Sequence, residues 1–293
     1  MKLSQEQLFK IREMLPFMPD KEKRRTLELL KTYDTQITQI LGKDSFLDFI
    51  KHVYPGYKVG PHHLKLIEIF EDIANGHKKR VIVNIAPRHG KSELISYLAP
   101  AWFLGKFPQK KIIMSSHTAD LAVNFGRRVR NLVGSDLYKD VFPQVELQAD
   151  SKSASRWGTN FNGEYFAIGV GGALAGRGAD LFIIDDPHSE QEAKTGRPEV
   201  FLPAWEWFQS GPIQRLMPGG AIIVVMTRWS KLDLTGQIVA QMDREEGVDQ
   251  WEVIQFPAIK DDGEPLWPEF WPVEELLAKK ASLDVRYWNA QYM

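Results

Sequence analysis

Between residues 81 and 104 the chain passes from a short β-branched segment, Val81 to Ile85, through a tight turn into a helix from about Ser92 to Leu104. The turn closes on Gly90-Lys91-Ser92. This arrangement constrains the fold more than any other feature, because N–H groups at the N-terminus of a helix converge on a point that attracts anions. Lys91 places a point charge where terminal phosphates would lie, and Ser92 offers a hydroxyl to a magnesium shell. The first glycine usual in such a loop is replaced by Ile85, and Pro87, Arg88 and His89 stand where small residues are common. The competing reading is an ordinary strand-to-helix turn carrying a solvated lysine.

A second segment favours the phosphate reading. Leu181-Phe182-Ile183-Ile184-Asp185-Asp186 is an apolar strand ending in two carboxylates. Nucleotide hydrolysis needs one acid to hold magnesium and another to orient the attacking water. Ligands of open α/β sheets bind at the C-terminal strand ends, so adjacent positions there can supply both. Asp185 is expected to take the metal and Asp186 the water. The second position is more often glutamate, and Asp186-Pro187 read alone starts a turn.

Around these motifs strands and helices alternate. Ile112 to Ser115 reads as a strand, followed by a helix from Ala119 to Leu132, and Asn162-Gly163 marks a hairpin between Arg156-Trp157 and Tyr165 to Ile168. Leu181 to Ile184 and Ala221 to Met226 read as buried strands of a parallel sheet. The class is therefore α/β with a mainly parallel central sheet flanked by helices. Residues 1–42 are expected as a helical arm with Asp20 capping its second helix and Gly42 punctuating its end. Ser45 with Asp48 opens a helix from Phe46 to Val53, and Pro61 starts another that ends at Asn75-Gly76. Residues 43–230 form the core. From 231 to 293 the texture shifts to a helix, a strand from Trp251 to Phe256, a Trp/Pro-rich turn and a final helical stretch, expected as a small appended subdomain.

Composition narrows the classes. With 37 basic and 38 acidic residues the net charge is −1, which does not announce a nucleic-acid binder but leaves room for a local basic face. Zero cysteines exclude a disulfide framework and any thiolate metal site. The longest apolar runs, such as Ala221 to Met226, are too short for a bilayer, and the N-terminus is too polar for a secretory signal.

Taken together these residues resemble the ATPase domain of tailed-phage terminase large subunits, motors that package double-stranded DNA into procapsids. The resemblance runs from about Phe46 to Tyr292. It is carried by residues 86–93, by the glycine-rich Gly169 to Gly178 leading into Asp185-Asp186-Pro187, by Val225-Met226-Thr227-Arg228-Trp229 with Asp233-Leu234, and by residues 287–292. It implies an ASCE-type P-loop NTPase with a small C-terminal lid over 231–293, using ATP and Mg2+. Pro87, Arg88, His89, Gly90, Lys91, Ser92 and Glu93 would hold the nucleotide, with Tyr57 and His62 at the adenine. Ser92 and Asp185 would hold the metal, and Thr227 would couple hydrolysis to movement. Arg177 matches the family's trans-acting arginine finger, with Arg88 as a rival acting in cis.

The resemblance further implies double-stranded viral DNA, self-association into a ring (pentameric on the portal), the portal protein and the small terminase subunit as partners, in the host cytoplasm and away from any membrane. Such terminases usually continue into a nuclease. Since the chain stops at Met293, an excised motor domain without cutting activity is expected. Arg127, Arg128 and Arg130, Lys78-Lys79-Arg80, and Lys279-Lys280 are candidate basic patches for DNA. A helicase-type translocase, and a nucleotide-binding scaffold with little turnover, remain alternatives.

Overall fold

β-Branched and aromatic runs free of glycine and proline favour strands buried on both faces, and four such runs form the middle of one sheet. The computed structural model describes residues 5–150, 153–195 and 197–293, so the first four residues of the expected arm lie outside the described residues. Helices α1 (Gln5–Met14), α2 (Asp20–Asp44), α3 (Phe46–Val53) and α4 (Pro61–Ala74) precede strand β1 (Arg80–Ile85). Next come α5 (Ala99–Lys106), β2 (Lys111–Ser116), α6 (Ala119–Val133) and α7 (Asp136–Val141). The hairpin β3 (Arg156–Gly158) and β4 (Glu164–Gly169) leads to β5 (Ala179–Asp185), α8 (Glu190–Lys194) and α9 (Leu202–Ser210). The chain ends with β6 (Leu216–Met226), α10 (Leu234–Arg244), β7 (Glu252–Phe256), α11 (Val273–Ser282) and α12 (Val285–Gln291).

Among the described residues seven strands form one sheet in the order β3-β4-β2-β5-β6-β1-β7. All neighbours run parallel except β3 against β4. The two-residue period of a strand divides the core between the faces. Val81, Val83, Ile183, Ile223 and Val225 join α3, α4 and α5 on one side. Ile82, Phe182, Ile184, Ile222 and Val224 meet Trp207 and Phe208 of α9 and Ile238 of α10 on the other. Parallel pairing brings the C-terminal ends of β1, β5 and β6 to one edge, with β6 between the other two.

Three local expectations change. Gly42 does not end the arm: α2 continues to Asp44, and the glycine permits a close approach, since an added Cβ would stand 2.8 Å from Val141 Cγ1. Trp102 Nε1 donates to the Gly42 carbonyl at 3.0 Å across the same contact. Asp20 is not the cap of α2 but its first residue, following Pro19, where its charge still favours the N-terminal dipole. Ser45 does cap α3, its Oγ accepting from Asp48 N at 3.2 Å. The third concerns the end of the chain: the stretch expected as an appended subdomain supplies β7 to the sheet itself, parallel to β1 with Ile85 opposite Phe256. Two ion pairs, Arg80 with Asp249 and Lys78 with Glu252, fasten that edge.

Candidate active site

The loop between β1 and the following helix adopts a backbone that few residues tolerate. Arg88 has φ 62° and Gly90 φ 79°. At position 90 an added Cβ would lie 2.3 Å from His63 Nε2, so glycine is required by both conformation and space. Lys91 leaves this turn almost fully buried, 6% exposed. Its Nζ reaches Thr227 Oγ1 at 3.0 Å and Asp186 Oδ2 at 3.0 Å. The helix then opens as a π-helical stretch, Glu93–Leu98, before α5. This wider turn is a frequent companion of functional sites.

Asp185, at the end of β5, is 1% exposed and accepts from two hydroxyls, Ser92 Oγ on Oδ1 at 3.0 Å and Ser96 Oγ on Oδ2 at 2.8 Å. Burial, reinforced by the neighbouring Asp186 charge, pushes its carboxyl well above the usual carboxylate range, against the pull of Lys91 and the two serines. Asp186 has φ 42°, a left-handed conformation that aspartate adopts more readily than most residues. That geometry turns its side chain across β6: Oδ1 accepts from Thr227 N at 2.7 Å while Oδ2 faces Lys91. The Asp186 carbonyl accepts from His117 N at 3.2 Å and from His117 Nδ1 at 3.3 Å, tying the end of β2 to the same point.

These groups line a cleft of about 640 Å³ at the C-terminal edge of the sheet. Of the residues anticipated from sequence, Pro87, Arg88, Gly90, Lys91, Ser92, Glu93, Asp185, Asp186 and Thr227 line it. His89, Tyr57, His62 and Arg177 do not. The His89 ring turns under the loop, with Nδ1 donating to the Pro87 carbonyl at 2.9 Å. His62 and Tyr57 lie on that underside too: His62 Nε2 donates to the His89 carbonyl at 2.9 Å, and the Tyr57 ring is 5.5 Å from that of His63. Arg177 is held on the β4 side by Glu164 Oε1 at 2.9 Å, its guanidinium 3.7 Å from the Phe166 ring centroid.

The sequence assigned no site role to His117, His188, Trp229, Gln291 and Tyr292, which stand on the cleft wall, or to Ser96 behind Asp185. Ser96 carried a signal, since it lies four residues after Ser92 and hence on the same helical face. His117 and His188 follow the ends of β2 and β5, where sites of parallel sheets gather. His188 is buried, accepts from Leu234 N on Nε2 at 2.8 Å, and is held below the usual imidazole range by that burial. Gln291 and Tyr292 fall in the motif over residues 287–292, which gave no sign of a place at the cleft. The basic candidates are partly engaged elsewhere: Arg128 pairs with Glu93 at 2.5 Å and stacks 4.0 Å over the Tyr97 ring, and Lys279 lies 4.8 Å from Trp271.

Among the described residues no group of three or more His, Cys, Asp or Glu side chains is arranged to hold a metal ion on its own. The hydroxyl of Ser92 beside the Asp185 carboxylate instead offers a small set of hard oxygen donors. That suits magnesium, which keeps waters and takes its remaining ligands from substrate phosphates.

A loop-borne lysine at the end of one strand and an acid at the end of another, with one strand between them, define the α/β fold of a P-loop NTPase. More particularly, the chain folds as the ATPase domains of phage large terminases do. It matches the crystal structure of the HK97 bacteriophage large terminase with TM-score 0.56 and 17% identity, over 84% of this chain and 53% of that one. It matches a mutant of the Thermus phage P74-26 large terminase ATPase domain with TM-score 0.52 and 17% identity, over 84% of this chain and 98% of that one. At such identity the likeness shows the fold, and the chain spans about half the length of the HK97 terminase. No protein-family model matches the sequence, and no curated protein does.

Proposed function

We propose that this chain hydrolyses ATP with magnesium and that hydrolysis drives double-stranded viral DNA into a procapsid, as the motor part of a terminase large subunit. The observation that carries the reading is the convergence of Lys91, Ser92, Asp185, Asp186 and Thr227 within hydrogen-bonding distance at one edge of the sheet. The fold shared with large terminases supports the choice of motor over other nucleotide hydrolases.

In this reading the loop N–H groups and Lys91 bind the β- and γ-phosphates. Ser92 and Asp185 would hold magnesium, which would supply positive charge against the phosphate oxygens. Asp186 accepts the proton of the attacking water. Its Oδ2 is free to do so once phosphate oxygens draw Lys91 away, while Oδ1 stays on the Thr227 N–H. Thr227 meets both Lys91 and Asp186, so a change at the γ-phosphate reaches β6 and the Arg228–Asp233 pair beyond it, where Arg228 Nε donates to Asp233 Oδ2 at 2.9 Å. Arg177 is the finger for a neighbouring subunit in a ring, with Arg88, which lines the cleft, as the rival in cis. The portal protein and the small terminase subunit are the further partners.

The test is phosphate release from ATP and magnesium, with and without linear double-stranded DNA. Turnover that DNA stimulates, with the stimulation falling steeply as salt rises, is expected for a sequence-blind grip on phosphates. Nucleotide binding without turnover at any protein or DNA concentration would replace the motor by a scaffold.

A further inference from the structure

Three successive carbonyls of the phosphate loop are each held by a ring N–H. The Pro87 carbonyl accepts from His89 Nδ1 at 2.9 Å and the Arg88 carbonyl from Trp271 Nε1 at 3.3 Å. The His89 carbonyl accepts from two imidazoles, His62 Nε2 at 2.9 Å and His63 Nε2 at 3.1 Å. His62 and His63 open α4, whereas Trp271 lies just before α11, so donors from two remote parts of the chain meet under one loop. The hydrolytic steps above use none of them.

Peptide geometry gives these contacts a consequence. The loop's peptide bonds are trans, and in a trans peptide the C=O and N–H point in opposite directions. Fixing the oxygens of residues 87, 88 and 89 on the underside therefore turns the N–H groups of Arg88, His89 and Gly90 to the other side, toward the cleft. The loop needs outside support for this, because a left-handed arginine such as Arg88 persists only where its surroundings over-determine it.

His63 is the best defined of the donors. Its Nδ1 accepts from Gly60 N at 2.9 Å, so its proton sits on Nε2 and can only be donated upward. Trp267 packs edge-on against the ring, centroids 4.7 Å apart. Burial keeps the imidazole neutral, down to about 3, which preserves the acceptor at Nδ1.

We propose that His63, together with His62 and Trp271, is a positioning residue that holds the loop carbonyls down so that the N–H groups of Arg88, His89 and Gly90 face the nucleotide's phosphates. The proposal rests on the nucleotide reading of the cleft for its ligand, but not for its loop geometry.

Two variants separate positioning from mere packing, both made in a His62→Phe background to remove the second donor. His63→Gln carries an amide N–H near the Nε2 position and keeps a donor for the His89 carbonyl. His63→Asn places its amide near Nδ1, serves Gly60 and leaves that carbonyl without a donor. Hydrogen exchange across residues 87–92 and titration with mant-ADP are read on the full chain, with the amides of β1 and β5 reporting the fold in the same experiment. Relative to the Gln variant, the Asn variant should exchange faster at Arg88, His89 and Gly90 and bind mant-ADP about ten-fold more weakly. KM for ATP should rise more than kcat falls, as when binding common to ground and transition states is lost. Trp271→Phe, which removes only the indole N–H from the Arg88 carbonyl, should shift the same amides and stands in if the Asn variant does not fold. Gln and Asn variants that are alike in loop exchange and in mant-ADP affinity would overturn the proposal. A wild-type chain that binds no mant-ADP, or a Lys91→Ala chain that binds it equally well, would instead overturn the nucleotide reading, and loop exchange would still decide the positioning.

Discussion

Lys91 Nζ lies 3.0 Å from Asp186 Oδ2, although the two residues belong to strand ends with β6 between them. The intervening strand fills the gap with Thr227, which accepts from the same ammonium and donates its N–H to the same carboxylate. A phosphate drawing on Lys91 is thus felt by the acid and by β6 together. The proposed roles in binding, water activation and coupling all pass through this one contact.

Asp186→Asn tests the middle role. Asparagine tolerates the left-handed backbone at this position and keeps an oxygen for the Thr227 N–H, so the fold should survive. What it loses is the proposed base. Turnover should fall by about a hundred-fold or more, with mant-ADP affinity little changed. Steady-state phosphate release beside a binding titration reads both, and an Asn variant with wild-type turnover would remove Asp186 from the chemistry.

Thr227→Val deletes one hydroxyl while keeping the β-branched shape that suits the end of β6. Lys91 then loses a neutral partner in a buried site, and turnover should fall by about ten-fold, while Thr227→Ser should recover most of it. If Val and Ser variants hydrolyse ATP alike, the hydroxyl has no part in the cycle.

Arg177 can serve a neighbour only by leaving Glu164 and the Phe166 ring. Arg177→Ala should abolish hydrolysis and leave nucleotide affinity nearly unchanged, and mixing it with Lys91→Ala protein should restore part of the activity. Loss of affinity in the Arg177 variant would point to a cis or structural role. Hydrolysis per subunit should also rise with protein concentration if the finger comes from another copy.

The imidazoles under the loop give stability a pH dependence of known sign. Burial lowers His63 from 6.5 to about 3 in the folded chain, so its contribution is fully present above 6.5 and is lost as pH falls toward 3. Asp185 acts in the opposite direction, since its raised carboxyl binds protons more readily folded than unfolded. The difference between wild type and His63→Gln cancels that term. In urea melts the wild type's advantage should shrink by about 2 kcal/mol from pH 7 to pH 5. An advantage equal at both pH values would mean that His63 is not held neutral.

Much of the scaffold was legible because its signals are local. The β-branched runs at Val81, Ile112, Phe182 and Ile222 became adjacent strands, and Asn162, with φ 65°, made the hairpin turn its Asn-Gly pair announced. Gly90-Lys91-Ser92 and Asp185-Asp186 came together as their strand ends required. What stayed hidden depends on partners distant in sequence. Gly42 reads as a helix stop until Val141 is placed against it. Residues 252–256 read as part of an appendage until they pair with β1. Tyr57 and His62 precede the loop in the chain but pack beneath it, whereas Gln291 and Tyr292, some 200 residues after Lys91 in sequence, line the cleft.

Steady-state ATP hydrolysis by the wild-type chain and by Lys91→Ala, at matched protein and magnesium concentrations, decides whether the cleft is a hydrolytic site. Measurable turnover in the wild type and its loss in the variant are expected, because Lys91 is joined to Asp186 and Thr227 at once. Turnover that survives Lys91→Ala would contradict the assigned site.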